Sequence, residues 1–464
     1  MFSPQRKSNA GGKQTEDDDV FAIFWLNPLF IAGGFILPLI TVCFLLPATT
    51  YSDIWETPKY FLTKEYLLCI ATVACLIMGA ALSAVLPCKG LSNTVRQIKH
   101  GDYTAALYRC YVVVTAVCLA AYSIWIVLML ASGIHVADFA DMLKGKEGGM
   151  GEVREHSNYV AGVTSPIQMG VCVVMLYVVL FNRVRGKLFH FSAWLVIFLT
   201  LFRSFFRTER LALMEIAVPS LLVLLRLHWR QIPRIWLYIF PAIAMFVPYA
   251  LFLMTERFRW WANVASVQSM NYFQFCFYHL LGYYATALNN GSAMWQMNLT
   301  AGAPTTVLDW FYNMPGIKPY ILDHYPGITL SDDDYSLFLK HYLNERFTNP
   351  SGIFPVYLDI GLLGGLIFWF FIGFIAMSLY RRFAAGEVIG FFIFPLFMLG
   401  LAELPRITYW PSTRAFSIWC FLWVIILAVS RAKNSRNASL QDARLQHRAS
   451  QAKPESTGGS EASV

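Results

Sequence analysis

The sequence predicts an all-α, polytopic helical membrane protein of about ten transmembrane helices, with one large extracytoplasmic loop between spans seven and eight. Of its 464 residues 57% are hydrophobic, 16% aromatic and only 14% charged. A single water-soluble core cannot bury that much apolar surface. The apolar residues fall in runs of roughly 20, the length that crosses about 30 Å of hydrocarbon as a helix. No barrel-type alternation is present, so in lipid each run satisfies its own backbone as a helix.

In chain order the runs place spans at 27–47, 66–86, 107–131, 163–181, 188–206, 210–226, 235–254, 353–379, 386–403 and 414–430. Residues 1–22 are polar and carry no cleavable leader pattern, so they read as a disordered cytoplasmic tail and span one as its own insertion signal. Residues 23–255 then form a seven-span bundle, 256–352 the large loop and 353–430 spans eight to ten. From 431 to 464 the chain is rich in Ser, Ala, Gln and Gly and reads as a disordered cytoplasmic tail. The nine cysteines lie in or beside spans without metal-ligand spacing, which points to packing rather than disulfides or a metal. No cofactor motif is present.

Loop charges orient the bundle, because Lys and Arg are retained on the cytoplasmic side. One alternate set of loops carries Lys89, Arg96 and Lys99, then Arg183, Arg185 and Lys187, then Arg226, Arg230 and Arg234, then Arg381 and Arg382. These and both termini are expected inside. The intervening segments are neutral or acidic, as in 133–160, and face out. The formal charge of +8 follows the inner loops and the tail, so topology and anionic lipid account for it without nucleic acid.

Arginines on the outer side break this pattern. Between spans five and six, Arg203, Arg207 and Arg210 stand at i, i+4 and i+7, one face of a continuous helix. Arg203 falls at hydrocarbon depth, where charges face a bundle interior or a wet cavity. Snorkelling to headgroups with Glu209 as partner is the plainer alternative. Arg406 and Arg414 sit at the outer ends of spans nine and ten, and convergent arginines suit phosphate oxygens. Glu403 beside Arg406 is read either as a base or as half of a structural ion pair.

The loop is aromatic and amphipathic, with ERFRWWANV, YFQFCFYHLLGYY and TTVLDWFYNMPGIKPY. It is expected to fold as a lid with interfacial helices whose aromatics grip sugar rings. An interfacial aromatic belt is the simpler reading of many of them. In LKHYLNERF a helix would put His341 and Glu345 on one face, with Arg346 beside them, and a His or carboxylate can take a hydroxyl proton. Asp332, Asp333 and Asp334 are expected to open a helix.

The passage NPSGIFPVYLDIGLLGGLIFWFFIGF, with Tyr357, Asp359, Gly361 and Gly364, resembles the way Wzy-type oligosaccharide repeat-unit polymerases of bacteria leave their periplasmic loop. FFRTERLALMEIAVPSLL is similar to that family's arginine-bearing middle span, although Arg-Thr-Glu-Arg stands where many members carry a Ser-Arg-Gly-like triplet. The motifs cover about fifty residues, and the architecture most of the chain.

The resemblance implies a bacterial inner-membrane glycosyltransferase that polymerises undecaprenyl-pyrophosphate-linked oligosaccharide repeat units at the periplasmic face. It makes O-antigen, capsule or exopolysaccharide by inverting transfer. On this reading Arg203, Arg207, Arg210, Arg406 and Arg414 hold the pyrophosphate, and His341 is the base, with Glu345 or Glu403 in its place. Arg346 and Asp359 hold sugar. The partners are the lipid-linked glycan donor and acceptor, membrane lipid and a chain-length regulator protein. An O-antigen ligase, and a lipid-linked oligosaccharide flippase or transporter, are the rival readings.

Overall fold

The computed structural model describes residues 23–87, 93–133, 163–206, 209–229, 231–233, 235, 239, 249–250, 270–299, 304–314, 316–324 and 332–451. Every regular element among them is helical. In chain order these are α1 (Pro28–Leu45), α2 (Ala48–Trp55), α3 (Thr63–Val85), α4 (Thr94–His100), α5 (Thr104–Ala131), α6 (Ser165–Leu180), α7 (Lys187–Phe206) and α8 (Arg210–His228). Then follow α9 (Tyr272–Gln296), α10 (Asp309–Tyr312), α11 (Ile317–His324), α12 (Asp332–Tyr342), α13 (Phe354–Ala385), α14 (Val388–Ala402) and α15 (Thr413–Gln451).

Seven described helices, α1, α3, α5, α7, α8, α13 and α15, are long and apolar enough to cross a membrane, and α6 and α14 are apolar but shorter. The protein is therefore a helical, multi-pass membrane protein. Nine of the ten expected spans fall on these helices. The expected span at 235–254 lies almost wholly outside the described residues.

The connections sort into two groups by contact. In the first, the 46–62 segment and α12 meet α9, α9 meets Glu403, α10 meets the start of α15, and the 209 turn meets Arg414 there. The second holds α4, the 183–187 turn, the α13–α14 turn and the lower part of α15. Basic side chains in the second group close helix ends. Buried Arg226 donates from Nε to Phe383 O (3.0 Å) and from Nη2 to Ala384 O (3.1 Å), the last carbonyls of α13. Arg381 does the same for Ser83 O and Leu86 O at the end of α3, and Arg183 for Lys99 O in α4. Such carbonyls have no intrahelical donor, and cations suit the negative end of a helix.

Beyond the membrane-length stretch α15 continues to Gln451, where the sequence reading expected a disordered tail from 431. The polar composition was read correctly, but a helix already formed needs no new nucleus, and RAKNSRNASLQDARLQHRASQ contains no Pro or Gly to stop it.

α9 corrects the expectation of an interfacial lid. Its second half, from Gly282 to Met294, is buried against α1, α2 and α13. Burial is tolerated because its amides replace missing backbone partners. Asn289 Oδ1 accepts from Tyr60 N (2.6 Å) and Phe61 N (3.1 Å), and its Nδ2 donates to Pro58 O (2.8 Å). Asn290 Nδ2 donates to Phe347 O and Asn349 O. An amide with its hydrogen bonds made stabilises a buried helix, whereas an unmade one costs about 1–3 kcal/mol.

α13 is broken at Gly361, where φ 72° and ψ 173° interrupt the helix. That region is essentially open to glycine alone. One turn earlier the Tyr357 hydroxyl meets Thr72 Oγ1 at 2.5 Å, and its ring packs where a Cβ on Gly365 would have to sit. The aromatic-x-Asp-x-Gly pattern is thus a kinked start to the span. Gly361→Ala is expected to lower stability by roughly 1–3 kcal/mol. Gly186→Ala, with nothing near its Cβ, should be near neutral, and thermal unfolding in detergent compares the two.

Candidate functional site

α7 and α8 form a tight hairpin. α7 ends at Phe206 and α8 begins at Arg210, and between them Glu209 leaves helical geometry at φ −90°, ψ 74°. Glu209 N donates to Ser204 O and Ser204 Oγ donates to Glu209 O, each at 3.0 Å. This overturns the expected single arginine face. The chain reverses here, so helical spacing does not carry from Arg203 to Arg210, which sit on different helices. Arg207 lies outside the described residues. Arg203 and Arg210 are both buried, and Arg210 opens α8, where the helix dipole disfavours a cation.

Glu215, on the next part of α8, is 1% exposed. A carboxylate there requires a partner, because an isolated buried charge is prohibitively costly. Arg414, at the start of α15, supplies it as a fork, with Nε to Oε1 at 2.6 Å and Nη2 to Oε2 at 2.7 Å. Tyr409 Oη donates to the same Oε1 at 3.0 Å. The third nitrogen of Arg414 lies 3.4 Å from Glu209 Oε2, which also lies 3.6 Å from Arg203 Nε. Arg203 Nη2 reaches Gln168 Oε1 at 3.2 Å. One network therefore ties α6, α7, α8 and α15 at their shared end.

A second centre stands upstream in the same connection, at Glu403 and Arg406. Glu403 Oε2 pairs with Arg406 Nη1 at 2.9 Å, both nearly buried. Tyr284 Oη of α9 donates to Glu403 Oε1 at 3.4 Å, and the Tyr283 ring lies 3.8 Å below the Arg406 guanidinium. Burial works against the Arg406 charge, but Tyr283 and Glu403 outweigh it and hold the pKa above the ordinary guanidinium value. Burial, reinforced by Glu403, pushes the Tyr284 phenol well up, so it stays a donor. Tyr409 is raised likewise by burial and by Glu215.

The connection carrying both centres is fixed from two sides. Gly352 N donates to Leu404 O and Thr408 Oγ1 donates to Gly352 O, an approach that a Cβ on Gly352 would block. On the other side Asp309 accepts from Thr413 N (2.7 Å) and Thr413 Oγ1 (2.8 Å), Trp310 N donates to Pro411 O, and the Trp310 ring stacks on Phe416.

Asp359, expected to hold sugar, instead accepts from Thr306 N (2.5 Å) and Val307 N (2.9 Å). Its carboxylate replaces a backbone partner for the approach to α10, and with Asp309 it straps residues 306–310 across α13 and α15.

The remaining expected residues lie apart. α12 begins at the Asp triplet, as expected, and ends at Tyr342. Asn344 stops it by donating to Trp55 O and accepting from Arg346 N. Glu345 therefore falls beyond the helix and shares no helical face with His341, and both are exposed. Arg346 forms an exposed pair with Glu56 at 3.3 Å. α12 rests through Phe338 and Leu339 on Ala293 and Met294. Tyr283 and Tyr284 lie ten residues earlier on α9, about 15 Å along a helix. No described contact brings His341 to the arginines.

Sequence reasoning missed Gln168, Tyr283, Tyr284, Asp309 and Tyr409. The signal available for Glu215 was its place inside an apolar run, which demands a cation from elsewhere in the chain. Comparison with protein-family models, with characterised proteins and with solved structures finds no match.

Proposed function

We propose that this protein is a bacterial inner-membrane polymerase of undecaprenyl-pyrophosphate-linked oligosaccharide units, with both termini cytoplasmic and the site at the periplasmic end of the spans. The observation that carries this is the gathering of Arg203, Arg210, Arg406 and Arg414 with Glu209, Glu215 and Glu403 at one end of four apolar helices, with α9 against Glu403 and Arg406. Arginine forks suit phosphate oxygens, and a water-poor site strengthens each charge-assisted bond.

In the transfer, the acceptor sugar hydroxyl loses its proton to a base and attacks the donor's anomeric carbon. The bond to pyrophosphate breaks on the opposite face, and the lipid pyrophosphate leaves with the electron pair. Arginines already oriented by carboxylates stabilise that charge without reorganising. Glu403 is better placed than His341 as the base, because it adjoins Arg406 and Tyr284 whereas no described contact brings His341 to the arginines. Arg406 then sits beside both the proton acceptor and the leaving group.

Removal of the Glu403 carboxylate or of the Arg406 charge should cut polymer formation by roughly 10²–10⁴-fold per molecule of folded protein. The glycan ladder of cells carrying Glu403→Gln or Arg406→Gln checks this, with single capped units as the expected product. Full-length polymer from both variants would remove this centre from the reaction. Loss of all capped glycan in a deletion strain would favour the ligase or flippase reading.

A further inference from the structure

The carboxylates of the arginine network are not equivalent. Glu215 is 1% exposed and holds Arg414 through two short parallel bonds, the geometry of a permanent counter-ion. Glu209 is 19% exposed and sits on the non-helical turn between α7 and α8. It touches both Arg414 and Arg203 with one oxygen, Oε2, at the longer distances of 3.4 and 3.6 Å. Arg203 is 2% exposed and Arg414 23%. The two guanidinium groups thus share a single carboxylate oxygen on the more open side of the network.

A carboxylate that bridges two cations with one oxygen occupies the place of a doubly charged oxyanion. A diphosphate offers several oxygens to the same pair of forks and more charge, so exchange favours it once the carboxylate swings out. The swing is local, because Glu209 belongs to neither helix.

We infer that Glu209 is a displaceable internal counter-ion, and that the Arg203–Arg414 pair beneath it is a diphosphate-binding site. Its assignment to a lipid-linked diphosphate rests on the function proposed above, whereas the anion chemistry does not. Glu215 keeps Arg414 aimed throughout the exchange, and Gln168 steadies Arg203 from the opposite side.

The test is calorimetric titration of the full-length protein in nanodiscs with inorganic pyrophosphate. Glu209→Gln is expected to bind about tenfold more tightly than wild type, because the internal competitor has lost its charge. Glu209→Asp keeps the charge but retracts the carboxylate, and should fall between them, deciding the matter if the Gln variant does not fold. Arg203→Gln added to Glu209→Gln should return the affinity to the wild-type value or below.

Equal affinities across wild type, Glu209→Gln and Glu209→Asp would overturn the inference. So would equal tightening in Glu56→Gln, an exposed carboxylate whose described partner is Arg346, since that would reflect net charge alone. Farnesyl diphosphate in parallel separates the sources. Tighter binding than inorganic pyrophosphate supports the lipid carrier, and equal binding overturns that assignment. Tightening in a protein that assembles no polymer would keep the site and remove the polymerase. Polymer assembly with unchanged Glu209→Gln binding would do the reverse.

Discussion

Arg414→Met is expected to lower stability by about 3–5 kcal/mol, the cost of leaving a buried carboxylate without its cation. Exposed ion pairs are worth far less, because water screens both partners. Here Glu215 has almost no access to solvent, and its two oxygens receive three donors, two from Arg414 and one from Tyr409. Met keeps much of the aliphatic stem but removes two of them.

Replacing both charges, as in Glu215→Leu with Arg414→Met, should recover more than half of the loss, since an apolar pair of similar volume needs no compensation. Thermal unfolding of the four proteins in one detergent closes the cycle, and the coupling between the sites is the quantity of interest. Additive losses would mean that the pair contributes nothing beyond its two separate side chains.

The second large effect is expected at the crossing of α3 and α13. A Cβ on Gly373 would overlap the Leu76 carbonyl, and one on Gly79 would overlap the Phe370 carbonyl. Both helices therefore meet backbone to backbone at residues 76–79 and 370–373. In lipid the contact has no hydrophobic drive, so close packing of small residues holds it. Gly373→Ala should cost about 1–3 kcal/mol through forced separation, and Gly373→Leu more.

Tyr357 to Thr72 lies on the same pair of helices and would be stretched by the separation. Limited proteolysis and unfolding temperature measure the loss. An unchanged Gly373→Leu protein would contradict the close crossing.

Most of the helical scaffold could be read from hydropathy, because a span must satisfy its own backbone and declares itself by length. The site could be read only in part. Arg203, Arg406, Arg414 and Glu403 were visible as charges in the wrong surroundings, with Glu209 and the Glu403–Arg406 pair open as local alternatives, but the partners of Arg414 were not visible. Arg414 meets Glu215 and Glu209 across about two hundred residues, a separation that no local pattern encodes.

Spacing misled where the chain turns. The seven residues from Arg203 to Arg210 imply one helical face only if the helix continues, and Glu209 ends it. His341 and Glu345 failed for the same reason, at Asn344. α9 was expected in a surface lid because its run is aromatic and amphipathic. The partners that let Asn289 and Asn290 be buried lie at 58–61 and 347–349, far away in sequence.

Arg226, Arg381 and Arg183 act at two separate moments in the life of the chain. While the chain is being inserted, they count as unfolded charges that bias which side a loop stays on. After folding, the same guanidinium groups fasten the carboxyl ends of α13, α3 and α4. A charge-swap experiment at these positions would therefore unfasten helices while it attempted to invert them, and a misfolded product would resemble a misoriented one. Arg185 and Lys187 are exposed and close no described helix end, so orientation is better interrogated there.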